Sequence, residues 1–291
     1  MFIQTIVNGL ATGAIYALTV MGLVMIYKTT HVLNFAQGEK AMLTTFIAFS
    51  LMATPAIPLW AAVLLTLVAG ALIGTFVELA FVRHVRARGA TEGTYILIML
   101  GLFLSIQGVA GYIWGNDFKP FPRIISASTI KLGGVVISLE ALSILGVTFV
   151  LMLMLYLFFQ KTRWGLAMRA LNENLTTALL MGVRANRIFL ITWGIACAMA
   201  SIAGLMVVNI TYLHPGMMLP VILKALAGAI LGGFDSYPGV MLGCLLVGVM
   251  ESIIGVYIST ELKMVFAFAL ITLVLIVRPS GIMGKREFKK V

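Results

Sequence analysis

Charge is scarce in this sequence. Asp, Glu, Lys and Arg together supply 10% of its 291 residues, while hydrophobic types supply 61%. A soluble domain of that length needs far more charge to cover its surface, so a soluble fold is excluded and no room is left for a separate soluble domain. Acidic residues are scarcer still, 10 against 20 Lys and Arg. Cysteine occurs twice, at Cys197 and Cys244, each inside an apolar run. Such placement reads as two small buried hydrophobes, not as a disulfide or metal pair. His31, His84 and His214 stand far apart without metal-ligand spacing, so no metal site is expected. The sequence has no nucleophile-elbow pattern, no paired catalytic carboxylate motif and no phosphate-binding glycine-rich motif ending in Lys-Ser/Thr. The chain is therefore not expected to be an enzyme or to hold a cofactor. A nucleotide site, if one drives it, belongs to another chain.

What is present is long apolar sequence, with a mean hydropathy of +1.09. A helix rises about 1.5 Å per residue, so crossing about 30 Å of hydrocarbon takes roughly 20 apolar residues. Charge-free or nearly charge-free runs fall at 2–27, 41–57, 59–82, 94–115, 139–160, 188–211, 218–234, 237–258 and 263–277. The first has no basic residues before it and is too long for a signal-peptide core, so it is expected to be a retained span. Basic residues punctuate the runs: Lys28; Arg83, Arg86 and Arg88; Lys161, Arg163, Arg169, Arg184 and Arg187; then Arg278, Lys285, Arg286, Lys289 and Lys290. This clustering, rather than nucleic-acid binding, accounts for the net charge of +10.

Placing those clusters in the cytoplasm leaves only Lys119, Arg123, Lys131 and Lys263 clearly outside. Parity then requires an even number of crossings between successive inside clusters. The runs 41–57 and 59–82 supply one such pair, turning at Thr54-Pro55-Ala56-Ile57-Pro58. The expected fold is an all-α, polytopic bundle of eight to ten membrane segments, with the N-terminus outside and the C-terminus inside. Either 41–57 or 218–234, both short, could be discontinuous. Four Gly-x-x-x-Gly pairs, Gly9/Gly13, Gly70/Gly74, Gly228/Gly232 and Gly239/Gly243, predict close helix packing rather than ligand sites.

Three segments break the lipid-facing pattern. Asn34-Phe35-Ala36-Gln37-Gly38-Glu39-Lys40 opens a short apolar run, either as a solvated loop with Glu39 at a helix N-terminus or as a buried polar site. In 162–187, Met168, Leu171, Leu175, Ala178, Leu179 and Gly182 recur at helical steps. One amphipathic helix could then lie on the membrane or dock into a soluble partner. Gly232-Gly233-Phe234-Asp235-Ser236-Tyr237-Pro238-Gly239 reads first as a tight turn and second as a broken helix facing a solute. Glu251 lies deep in its run and must face protein or a wet cavity; Lys224 could do the same or snorkel.

Several blocks resemble bacterial branched-chain amino-acid ABC permeases. They are Gly13-Ala14-Ile15-Tyr16-Ala17-Leu18 with Gly22-Leu23, Ile26-Tyr27-Lys28-Thr29-Thr30 and Asn34-Phe35-Ala36-Gln37-Gly38-Glu39. Gly165, Ala167, Arg169, Ala170, Asn174, Ala178, Met181 and Gly182 resemble that family's coupling segment, and Leu231-Gly232-Gly233 with Ser236, Pro238 and Gly239 its late glycine-rich motif. The size and motif order are similar to the shorter, H-type permease. Gln37 replaces a frequent histidine, and Thr176-Thr177 replace a frequent Glu-Ala.

The resemblance implies one permease domain over 1–291 in the bacterial cytoplasmic (inner) membrane. It implies a second homologous permease, two cytoplasmic ATPases carrying ATP and Mg, and an extracytoplasmic solute-binding protein. The ATPases would dock on 162–187, with Gly165, Arg169, Ala170, Glu173, Asn174, Ala178, Met181 and Gly182 as coupling residues. Asn34, Phe35, Gln37, Gly38 and Glu39, with Gly232, Gly233, Ser236, Pro238 and Gly239, are expected to approach one another near the translocation route. The solute would be a branched-chain amino acid or a related small amino acid, amide or organic acid. The competing expectation is an ion- or proton-coupled secondary transporter using Glu39, Glu251 and Lys224.

Overall fold

In lipid every backbone polar group must find a partner inside the protein, and long apolar runs meet that demand as helices. The computed structural model describes residues 2–122, 128–132, 135–278 and 281–284. Arg123 and the basic residues Lys285, Arg286, Lys289 and Lys290, all used for orientation, lie outside the described residues. The chain forms α1 (Phe2–Thr30), α2 (Gln37–Met52), α3 (Leu59–Val77) and, through a π turn at Glu78–Val82, α4 (Arg83–Ala87). Then come α5 (Glu92–Trp114), α6 (Leu139–Lys161), the short α7 (Arg163–Glu173) and α8 (Leu175–Leu180), and α9 (Ala185–Val208). The order closes with α10 (Leu219–Gly232), α11 (Tyr237–Tyr257) and α12 (Leu262–Val277).

The fold is helical, as expected, with one addition: β1 (Thr129–Leu132) pairs antiparallel with β2 (Val135–Ser138) before α6. Its Val- and Ile-containing sequence favours strand, and the segment falls between apolar runs where no helix is imposed. Among the described residues six helices are long and apolar enough to cross a membrane: Phe2–Thr30, Leu59–Ala87, Gly93–Trp114, Leu139–Lys161, Ala185–Val208 and Tyr237–Tyr257. Leu219–Gly232 and Leu262–Val274 are apolar but shorter, and α2 has 16 residues.

The described chain divides into two compact units. One comprises Met1–Val24, Ile125–Leu153 and Pro220–Val291; the other comprises Met25–Ile124 and Met154–Leu219. In the first, α1 crosses α11 at glycines: a Cβ on Gly9 would lie 2.6 Å from Val249 Cα, and one on Gly13 2.6 Å from Leu245 Cα. Helix α10 meets α11 the same way, with a Cβ on Gly228 reaching Cys244 Cα at 2.6 Å. In the second unit Gly70 and Gly74 pass over Ser201, Cys197 and Trp193 of α9. All four Gly-x-x-x-Gly pairs thus mark close helix contacts, where small residues allow backbones to approach. The second unit's core gathers Ile26, Val32, Val77, Val82, Met99, Trp193 and Ala196. Large side chains such as Trp60, Leu72, Leu97, Leu104 and Phe149 are exposed along the long helices, as a lipid-facing surface requires.

Candidate functional site

The polar interruption after α1 is buried. α1 ends at Thr30, and His31 turns the chain with φ 55°, its N–H donating to Tyr27 O at 2.8 Å. Asn34, Gln37, Glu39 and Lys40 are each 0% exposed. Asn34 Nδ2 donates to Gln37 Oε1 at 2.9 Å, and Gln37 Nε2 donates to Ala196 O on α9 at 2.8 Å. Phe35 packs against the hydrophobic core and Gly38 is buried in the first turn of α2. Lys40 Nζ lies 4.7 Å from the centroid of the Trp193 ring. The Glu39 carboxylate and Lys40 ammonium have no hydrogen-bond partner among the described residues. Of the two readings left open by sequence, the solvated loop is the one this geometry does not match. Lys40 and Trp193 were absent from the candidate residues. The signal for Lys40 was a charge beside Glu39 at the head of an apolar run, but no sequence signal pointed to Trp193.

The second interruption lies in the other unit and is a tight turn. α10 ends at Gly232, Gly233 takes φ 96°, and Ser236 caps α11 by accepting from Gly239 N at 3.2 Å. Pro238 sits in the first turn of α11, where its missing N–H is not needed. Gly232 and Gly239 face each other across the turn. The chain after α12 returns to supply N–H donors to the carbonyls that α10 leaves free: Ile282 N donates to Leu231 O at 2.8 Å and Met283 N to Gly232 O at 3.1 Å. Protein groups therefore satisfy this backbone, and the default turn reading describes it.

Deep in the same unit, three helices meet at one carboxylate. Glu251 of α11 accepts from Lys224 Nζ of α10 at 2.6 Å and from Tyr16 OH of α1 at 2.5 Å. The Glu251 and Lys224 side chains are 7% and 16% exposed. A lone charge would be costly here; the pair with its extra hydrogen bond is the tolerable form. Sequence singled out Glu251 and Lys224 separately. It could not pair them across 27 residues, nor find Tyr16.

The segment from 162 to 187 departs from the single amphipathic helix expected. Thr162 caps α7 by accepting from Gly165 N at 3.0 Å. Asn174, at φ −158° and ψ 108°, ends α7 and caps α8, its Oδ1 accepting from Thr177 N at 2.9 Å. Asn is a strong N-cap, so it divides a periodic pattern that hydrophobicity alone would run through. Met168, Leu171 and Ala178 are buried as the pattern foretold, but Leu175 and Leu179 are exposed. Gly182 closes α8 at φ 84°.

A groove of about 720 Å³ runs along the two short helices. Ala170, Glu173, Asn174, Ala178 and Met181 line it, beside Arg163, Leu166 and Val183. Three other candidate residues do not: Gly165 packs on α6, where a Cβ would lie 2.6 Å from Phe159 Cα; Arg169 donates to Gln160 Oε1 at 2.9 Å; and Gly182 faces open space. Leu180 and Met181 are 83% and 81% exposed. Among the described residues no group of His, Cys, Asp and Glu could hold a metal ion.

Among the described residues, six helices long and apolar enough to cross a membrane, glycine-mediated helix contacts and a charge cluster enclosed by helices define a multi-pass membrane protein. The profile of the branched-chain amino acid transport system permease component matches residues 5–275, and the chain belongs to that family. It is 33% identical over 303 residues to the high-affinity branched-chain amino acid transport system permease protein BraD of Pseudomonas aeruginosa, covering 100% of this chain and 98% of that protein. It is 31% identical over 304 residues to the corresponding LivH of Escherichia coli, again covering 100% and 98%. A probable branched-chain amino acid transport permease LivH of Methanocaldococcus jannaschii is 27% identical over 281 residues, covering 92% and 88%. No solved structure matches the chain. The family is a transporter's permease component rather than a catalytic enzyme.

Proposed function

We propose that the chain is the translocating subunit of an ATP-driven importer in the bacterial cytoplasmic membrane, working by alternating access. The observation that carries this reading is the α7–α8 groove. It offers Leu166 and Met181 to the surroundings, with Arg163, Glu173 and Asn174 also among its lining residues. A concave, largely apolar site suits a projecting apolar protein element better than a flat lipid surface. Two ATPases would dock through this segment, and their closure on ATP and Mg would move α7 and α8. A second homologous permease would complete the route and a solute-binding protein would deliver the solute. The basic clusters put the segment on the cytoplasmic side, with the N-terminus outside, the C-terminus inside and eight to ten membrane segments.

Names of the relatives point to a branched-chain amino acid as the solute. The buried polar groups at Asn34, Gln37 and Glu39 are our candidates for weak contacts with a zwitterion, with Phe35 and Gly38 shaping the turn that holds them. The turn at Gly232, Gly233, Ser236, Pro238 and Gly239 would serve mainly to set α10 against α11, since its own backbone groups are engaged. A secondary transporter is less well supported, because Glu251 and Lys224 already neutralise each other. Affinity purification of the tagged chain from its native membrane tests the assembly. An ATPase and a second permease should accompany it in stoichiometric amounts. Recovery of the chain as a self-sufficient homo-oligomer without an ATPase would contradict the reading.

A further inference from the structure

A second cleft, of about 510 Å³, opens beside α8 and differs in chemistry from the α7–α8 groove. Arg86, Arg184 and Arg187 line it together with Asn186, and no carboxylate does. The α7–α8 groove instead balances Arg163 against Glu173. The three guanidinium groups are not equivalent. Arg86 donates to both Glu78 oxygens, at 2.9 and 3.3 Å, and stacks 4.0 Å from the Phe189 ring centroid, so its charge is balanced and its position held. Arg184 and Arg187 are exposed and have no ion pair among the described residues. Leu175, Leu179 and Phe189 add apolar surface to the same cleft.

Its level in the bilayer follows from the helices that build it. The candidate span Leu59–Ala87 ends one residue after Arg86, and the candidate span Ala185–Val208 begins one residue after Arg184. The cleft therefore lies where two crossings leave the hydrocarbon, at headgroup depth. Unbalanced arginines beside leucine side chains at that depth match the two halves of a lipid, a phosphodiester and the start of its acyl chains. A soluble anion would use the arginines but not the apolar surface. We propose that this cleft binds the phosphate of an anionic phospholipid through Arg184 and Arg187, beside Arg86, whose own charge Glu78 already balances. Met181, Gly182 and Val183 join α8 to Arg184, so a bound lipid would hold the end of the segment that carries the first groove. The lipid site requires only the membrane placement of the chain; Arg184 and Arg187 end the 162–187 segment but lie outside the groove assigned to the ATPases.

The test is a titration of the detergent-purified full chain with short-chain phosphatidylglycerol, read as a saturable rise in the unfolding midpoint. Each surface arginine contributes roughly fivefold to such binding, so Arg184→Gln with Arg187→Gln should raise the half-saturation concentration about twenty-five-fold. The pair Arg184→Lys and Arg187→Lys should recover most of the loss, and Lys119→Gln, at the far end of α5, should titrate like the parent. Phosphatidylcholine with the same chains and inorganic phosphate should give no saturable shift. A double glutamine variant that titrates like the parent overturns the proposal, as does a matching response to phosphatidylcholine. A full response to inorganic phosphate would make the cleft a soluble-anion site, and a response abolished whenever the ATPase is bound would make it a protein interface; either contradicts the lipid assignment.

Discussion

Glu251 shows how burial turns a single residue into a constraint on three helices. Its carboxylate takes a proton-bearing partner from α10 and another from α1, and removing either charge leaves the other uncompensated away from water. Loss of one partner from a buried pair costs about 3 kcal/mol or more, whereas replacing both is often close to neutral. Lys224→Met or Glu251→Gln alone should lower the detergent unfolding midpoint by several degrees, and the double variant should recover most of it. Thermal unfolding followed by intrinsic fluorescence measures all three. Tyr16→Phe should cost less than either charge variant, about 1–2 kcal/mol, since the ion pair remains. Composition and position revealed Glu251 and Lys224 as misfits in apolar runs, because any charge at that depth needs an explanation. Their pairing was not legible: residues far apart in sequence meet only through the crossing angles that Gly13 and Gly228 permit. Glu39 and Lys40 were ambiguous for the same reason, since a loop between two helices looks alike in sequence whether water or protein surrounds it.

Among the elements, α7 and α8 are the ones on which the proposed coupling to an ATPase rests. The hydrophobic repeat identified the segment and its buried residues Met168, Leu171 and Ala178, but periodicity has no means of registering a cap inside the pattern. Asn174 ends one helix and starts the next, and so sets the bend that forms the groove. Asn174→Ala should destabilise α8 by about 1 kcal/mol, whereas Asn174→Asp should be tolerated. ATPase affinity of the membrane-embedded chain, measured by pull-down at graded ATPase concentrations, should fall for alanine and hold for aspartate. Gly165 is a stricter position, because a Cβ would meet the α6 backbone at Phe159. Gly165→Val should displace α7 and weaken the same binding roughly tenfold, a loss equivalent to about 1.4 kcal/mol. The long helices were easier to read: each apolar run contains a helix, since lipid leaves the backbone no other option. The paired strands Thr129–Leu132 and Val135–Ser138 were not legible because short strands lie below what a hydropathy pattern resolves.

For the whole molecule, the basic clusters carry a prediction about sidedness. Single cysteines replacing Ile3 and Phe288, in a chain whose Cys197 and Cys244 are changed to alanine, should react with impermeant maleimides from opposite faces of the membrane. Labelling of both from one face would refute an odd number of crossings. The function proposed at this scale is coupling between solute movement and ATP turnover on other chains, entering through the α7–α8 groove. The most direct measurement is leucine uptake into vesicles containing this chain, the second permease and the ATPases, with the solute-binding protein outside and ATP inside. Uptake should require ATP and the binding protein, and Met181→Glu should lower it roughly tenfold or more, as losing a docking hot spot does, while the chain remains correctly inserted. ATP-independent uptake driven by an ion gradient, undiminished by Met181→Glu, would contradict the account.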